Sequence, residues 1–342
     1  MKVSQGLSWL RQLLPYGVAA GLLAYLFYKI PLDQVGKNLH QVHWVGLILF
    51  SLVYFAAIAL LDLQGLQRVL NRFCGFLTRE ELWPGRAISY LLSILNYNAG
   101  QLALAAYLKN QRGFSLFRTM GAVFFVTATD LYWIITLAFA GSFFVDFHIE
   151  GHPLSDWVRR VGYIAFIALF FHLAFWNRWF SRLLPKKIHF GFTDWIRGRH
   201  LFQAFHHARL GDYARTALDR LPMHLIFVAS LWLVLRMFGV QCSWTHVLAT
   251  VPVIYLLGAL PVTPGGLGAV QLATVELLKD KVSSATILPG SLEAQQILLA
   301  MSLIWMGLNY LWKALFGLYY FRKEPLALIT RDRGPNASHQ NS

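Results

Sequence analysis

Charge is scarce in this sequence. Asp, Glu, Lys and Arg make up 13% of its 342 residues, about half the share of an ordinary soluble domain. A water-soluble globule is thereby excluded, because apolar residues reach 56%. The chain reads as an all-α polytopic membrane protein. Cysteine is nearly absent too. Cys74 and Cys242 stand alone, which leaves no disulfide framework and no thiolate metal site. There is no Gly-x-x-x-x-Gly-Lys-Ser/Thr, and so no phosphate-cradling loop for ATP.

Acidic residues are the scarcest charges: 16 against 30 Lys and Arg, for a net charge of +14. In a soluble protein that surplus would suggest nucleic acid. In a membrane chain it belongs to cytoplasmic loops and to attraction for anionic lipid, so membrane lipids are the expected partners and nucleic acid is not. Histidines form no ligand set. His206 and His207 are adjacent and point apart on a helix. His148 and His152 have a metal-like spacing, but Gly151 and Pro153 argue against the helix it needs. No catalytic residue, metal ligand or cofactor is nominated. A homo-oligomer or a partner enzyme is left open.

A spanning helix needs about 20 mostly apolar residues. Seven stretches qualify: 15–31 (an uncleaved first helix), 44–63, 119–145, 158–176, 222–240, 244–260 and 293–321. Segments 87–108 and 261–279 are apolar but interrupted, and each is expected either to re-enter or to span irregularly. Lys2 and Arg11, then Arg68, Arg72, Arg79 and Arg86, put the N-terminus and the second loop in the cytoplasm. The 146–156 loop holds Asp146, Glu150 and Asp156 with no Lys or Arg, which suits the outside. Segment 177–221 holds Arg178, Arg182, Lys186, Lys187, Arg197, Arg199, Arg209, Arg215 and Arg220 against three Asp. With its interleaved aromatics it is expected to lie as helices on the cytoplasmic membrane surface. Arg322 and Lys323 put the C-terminus inside. These assignments make 87–108 enter and leave on one side, yet make 261–279 cross. The expected division is a single transmembrane domain over 1–321, with halves 1–176 and 222–321 joined by 177–221, then a cytoplasmic tail over 322–342. The expected home is a bacterial inner membrane.

Two prolines and three glycines break the apolar run after Leu260: Pro261-Val-Thr263-Pro264-Gly265-Gly266-Leu-Gly268. Pro264 lacks an N–H, and Gly265-Gly266 favour a turn. Backbone freed at membrane depth must be buried in protein or face a watery cavity. Broken helices of this kind mark transporter binding sites. The segment has a counterpart earlier in the chain. Gln101-Leu-Ala and Lys109 recur as Gln271-Leu-Ala and Lys279 at one constant offset, each after two apolar stretches and an irregular lead-in, Asn96-Tyr-Asn98-Ala-Gly100 in the first case. An internal repeat is expected, with Gln101 and Gln271 facing each other across one cavity. Asp130, in the middle of 119–145, is expected on its wall, since an intramembrane carboxylate marks function by default. Lys313 is expected either to partner it or to snorkel to the cytoplasmic surface. Asp62 reads as interfacial.

The late motif Thr263-Pro-Gly-Gly-Leu-Gly268, with Gly100 and Asp130, resembles the flippase-like, lysylphosphatidylglycerol synthase-type transmembrane domain family, from about Leu60 to Phe321. Gln101 and Gln271 stand where that family usually has Glu, and Leu104 where it has Arg. The resemblance implies an integral membrane protein that binds and translocates an amphiphilic lipid, a phospholipid or a polyprenyl-type lipid. It implies the membrane part alone, because only about twenty residues follow Phe321, too few for a synthase domain. Substrate contacts are expected from Asn96, Asn98, Gly100, Gln101, Asp130, Thr263, Pro264, Gly265, Gly266, Gly268 and Gln271. An integral-membrane enzyme on lipid-linked substrates and a non-transporting scaffold are the alternatives.

Overall fold

A computed structural model of the protein describes residues 3–30, 39–40, 42–149, 152–176, 199–259 and 263–323. Among these described residues five helices are long and apolar enough to cross a membrane: α2 (Trp44–Phe73), α5 (Leu116–Gly141), α6 (Ser155–Trp176), α8 (Leu210–Met237) and α11 (Leu292–Lys323). The helix α1 (Val3–Lys29) precedes them. The shorter helices are α3 (Arg79–Leu95), α4 (Tyr97–Arg112), α7 (Gln203–His207), α9 (Trp244–Ala259) and α10 (Ala269–Leu278). A two-stranded ribbon, β1 (His148–Ile149) with β2 (His152–Pro153), joins α5 to α6. His148 and His152 therefore sit on a ribbon, as the glycine and proline beside them required.

Helices α3 and α4 form an antiparallel hairpin. Thr78 and Glu81 start α3 with a reciprocal capping box. At Asn96 the backbone turns extended and the Asn side chain takes the Ala99 N–H, which stops one helix and starts the next. Gly100 lets the arms touch: a Cβ there would lie 2.5 Å from the Ser89 carbonyl oxygen. Segment 87–108 thus enters and leaves on one side, as its flanking charges required.

The second interrupted segment differs from expectation. Residues 244–260 are not a separate span. Helix α9, with only 16 residues and Pro252 inside it, folds back on the 10-residue α10. The turn is a short 3-10 stretch at Pro264–Gly266, followed by Gly268. Gly265, Gly266 and Gly268 have φ of 58, 77 and 85°, the left-handed region that other residues avoid. At the far end Gln241 and Ser283 pair by backbone bonds of 2.8 and 3.0 Å. This segment too enters and leaves on one side, and the conflict left by the charge count disappears.

The chain therefore contains two units of one design, helix–hairpin–helix: α2, α3–α4, α5 and α8, α9–α10, α11. Helices α2 and α8 lie side by side and antiparallel, since Asp62 meets Arg220 and Arg72 meets Asp212. Each hairpin follows the end of its own unit's first helix, so the two hairpins insert from opposite ends. The closing helix of each unit packs on the other unit's hairpin. Gly317 of α11 lies against Ala87 and Leu91 of α3, and Gly141 of α5 lies against Ala249 of α9. Small residues at such crossings let helices approach closely enough for dispersion to hold them in lipid.

Two boundaries move. Helix α2 runs on past residue 63 because Leu63, Leu66, Leu70 and Phe73 continue one buried stripe. Helix α8 begins at Leu210, well before residue 222, and carries Pro222 internally. Residues 210–221, expected on the membrane surface, are thus part of α8. The expected surface helices over 177–198 lie outside the described residues. Two apolar cores result, one around Leu63–Phe73, Leu104 and Phe125, the other around Leu235, Val251 and Leu298.

Candidate functional site

Between the two cores, α2, α5 and α8 each carry charge where an apolar residue would pack. Asp62 on α2 is 4% exposed and Arg220 on α8 is 3% exposed. Arg220 Nη1 donates to Asp62 Oδ1 at 2.9 Å. Its Nε and Nη2 donate to the two oxygens of Asp130 on α5, each at 2.7 Å. The planar guanidinium fork fits a carboxylate in this way and a lysine could not. Gly65, one turn after Asp62, makes the room: a Cβ there would come within 3.1 Å of Arg220 Cδ.

The second oxygen of Asp62 is taken by the first hairpin. Arg86 Nε donates to it at 2.7 Å and the Tyr90 hydroxyl at 2.6 Å. Arg86 Nη1 reaches Gln101 Oε1 at 3.2 Å and Ser89 Oγ at 3.4 Å. His224, one turn after Arg220, lies 3.2 Å from Asp130 Oδ1. Two carboxylates and two guanidiniums close into one chain of bonds across both units. A lone charge in hydrocarbon costs several kcal/mol, so each member is held by the others.

The chain matches the model of the lysylphosphatidylglycerol synthase TM region over residues 12–305. It belongs to that family. Comparison with curated proteins and with solved structures gives no match. Family membership makes the protein a multi-pass integral membrane protein related to lipid handling. The first unit, both hairpins and the Asp62–Arg86–Asp130–Arg220 bonds fall within the matched residues, and α11 runs on past them to Lys323.

Gln101, Leu104 and Gln271, the positions that the resemblance marks as neutral, have distinct structural roles. Gln101 accepts from Arg86 and is buried. Leu104 packs in the apolar core beside the first hairpin. Gln271 closes the start of α10: its Oε1 accepts from the Gly268 N–H at 2.6 Å, and its Nε2 points at Met306 Sδ at 3.5 Å. Neither amide lines the cavity between the units, so the pair does not face across it as expected from the repeat. The repeat itself is real in the fold, since both sit near the start of a hairpin's second arm.

A cavity of about 390 Å³ opens between the units. Its walls are mostly apolar and aromatic, with Phe227, Tyr255 and Trp305 among them. Tyr90, Asn309 and Lys313 supply polar groups, and Thr274 and the turn glycine Gly265 come from the second hairpin. Of the residues expected at the site, Gly265 lines this cavity. Asp130 and Gln101 lie in the charge layer, which Tyr90 joins to the cavity. Gln271 touches the lining residue Met306. Thr263 is buried, and its hydroxyl has no partner among the described residues. Asn96 caps α4, while Asn98 is exposed. Gly100, Gly266 and Gly268 shape the hairpins, and Pro264 opens the second turn.

Lys313 is not the partner of Asp130; Arg220 and His224 are. Asp62 is buried rather than interfacial. Arg86 and Arg220 look like loop cations by composition, and Tyr90 and His224 carry no signal of their own. One sign was available. The stripe Leu63, Leu66, Leu70, Phe73 continues helically past Asp62, which places that carboxylate inside a helix and not at its end.

Proposed function

We propose that the protein binds a lipid by its head group in the cavity between the two units and translocates it between leaflets. The observation that carries this reading is the pair of oppositely inserted hairpins around one polar layer and one cavity. In transporter folds built from inverted repeats, the site lies at the repeat interface near the bilayer midplane, and broken helices line it. Two units of one design can rock against each other, opening the site to one side and then to the other. Lipid tails need not enter; they can stay in the bilayer while the head group crosses.

The crossing count supports the orientation expected from the charges. With both hairpins re-entrant, the five long apolar helices α2, α5, α6, α8 and α11, together with α1 taken as the first span expected from the sequence, make six crossings among the described residues. An even number returns the C-terminus to the side of the N-terminus, and the Lys and Arg placement makes that side the cytoplasm. In a bacterial inner membrane the first hairpin then inserts from the cytoplasm and the second from outside.

The test is lipid exchange in vesicles. Purified protein is reconstituted with a trace of phospholipid carrying an NBD-labelled chain, and dithionite is added outside. Translocation exposes inner-leaflet label to the reagent, so the bleached fraction should exceed that of protein-free vesicles. Equal fractions would favour a scaffold or an enzyme.

A further inference from the structure

The charged groups of the layer do not balance. Asp62 and Asp130 are matched by Arg86 and Arg220, each cation in direct contact with a carboxylate. Lys313 is a third cation, and its charge interacts with both Arg86 and Asp62. Among the described residues it makes no ion pair; its ammonium sits 5.8 Å from the ring centre of Tyr310. It lines the cavity. Lys323, the last residue of α11, is ten residues further on, about 15 Å along the axis at the usual helical rise.

An ammonium beside an apolar cavity and without a carboxylate needs a counter-ion, because low dielectric makes unpaired charge expensive. Asn309 lies one turn before Lys313, on the same face of α11, and also lines the cavity. Its Nδ2 spends one N–H on the Trp305 carbonyl at 2.8 Å and keeps a second. The cavity therefore presents a cation and an amide donor at one end and aromatic walls beyond them. Its volume is near the lower end of small-molecule sites. That suits a head group and the first part of a tail, not a whole two-chain lipid.

We infer that Lys313 and Asn309 bind the phosphoryl group of an anionic lipid, which completes the charge balance of the layer. This inference rests on the proposed lipid-binding role of the cavity and names its substrate class. Lys313 also lies beyond residues 12–305, so the family match does not itself supply it.

The experiment uses the full chain in a neutral maltoside detergent. Binding of phosphatidic acid with an NBD-labelled chain is read by fluorescence anisotropy, with equally labelled phosphatidylcholine as control. Lys313→Gln should weaken phosphatidic acid binding about tenfold or more, the loss of one charge-assisted hydrogen bond. Lys313→Arg should keep it, and phosphatidylcholine binding should change little in either variant. Competition by inorganic phosphate would show that the phosphoryl group alone suffices; lack of competition beside tight lipid binding would show that the tail is needed. Both results support the site. Wild-type affinity in Lys313→Gln, or equal loss for both lipids, overturns it. The vesicle assay separates the two claims. Phosphatidic acid bound through Lys313 without any translocation would sink the transport reading and leave the site. Unimpaired translocation of phosphatidic acid by Lys313→Gln would do the reverse.

Discussion

Arg220 holds Asp130 with two parallel bonds of 2.7 Å, one to each carboxylate oxygen. The pair joins the first helix of one unit to the closing helix of the other. Arg220 also reaches Asp62 at 2.9 Å, so a single guanidinium links three transmembrane helices.

Replacing Arg220 by Met should destabilise the protein by roughly 3–5 kcal/mol, because two carboxylates are left without their cation. Thermal unfolding in detergent reads this. Arg220→Lys should recover part of the loss, since it restores charge but not the fork. Adding Asp130→Leu to Arg220→Met should recover more stability than the separate effects allow. Additive losses would show that the two side chains are not coupled.

Gly100→Val should force the first hairpin apart. Even one carbon at that position would sit 2.5 Å from the Ser89 carbonyl oxygen. Overpacking of this kind costs roughly 1–3 kcal/mol. Gly113→Ala is a useful contrast. Its φ is 68°, yet nothing lies within 4 Å of the added carbon, so its cost should be one of backbone strain alone. A Gly100→Val protein as stable as wild type would mean that the arms are not in contact.

Thr263→Val should leave stability unchanged or raise it, because the buried hydroxyl has no partner to lose among the described residues. Lipid translocation in vesicles should fall if that hydroxyl meets the head group as the second hairpin moves. Lower thermal stability in this variant would reveal a hydrogen bond and remove the reason for assigning Thr263 a transport role.

Cys74 follows α2, and burial pushes its thiol from 9.0 up to about 11, against the nearby Arg118, which favours the thiolate. Maleimide labelling of Cys74 should therefore be slow at neutral pH and keep accelerating up to about pH 11. The linkage has a definite sign. The unfolded chain releases this proton at lower pH than the folded one. The thiol's contribution to stability is present below about 9 and is lost as pH rises through about 11. A labelling rate that levels off near pH 9 would contradict the burial.

Much of this fold was legible in composition and in helix breakers. The apolar stretches gave the membrane class, and Asn96 and Pro264–Gly268 marked both hairpin turns. The recurrence of Gln101-Leu-Ala at Gln271 pointed to two related units. The second hairpin was misread because 244–260 is apolar and nearly long enough to span; the packing of α9 on α10 and the Gln241–Ser283 pairing show that it returns. The charge layer was less legible for a different reason. Arg86 and Arg220 stand at the edges of basic stretches, where composition assigns them to loops. Their burial depends on Asp62 and Asp130, brought together from helices far apart in sequence. Pairing across that distance leaves no trace in local spacing.

The most direct test of the account fills the cavity. Asn309→Trp places a large side chain among Phe227, Tyr255 and Trp305 without touching the Asp62–Arg220–Asp130 bonds. Vesicles with wild-type or Asn309→Trp protein, carrying NBD-labelled phospholipid, are compared by dithionite bleaching at matched protein content. The account predicts bleaching beyond the outer-leaflet share for wild type and the protein-free value for the filled variant, with thermal stability retained. Equal bleaching by both proteins would contradict passage of the lipid head group through this cavity.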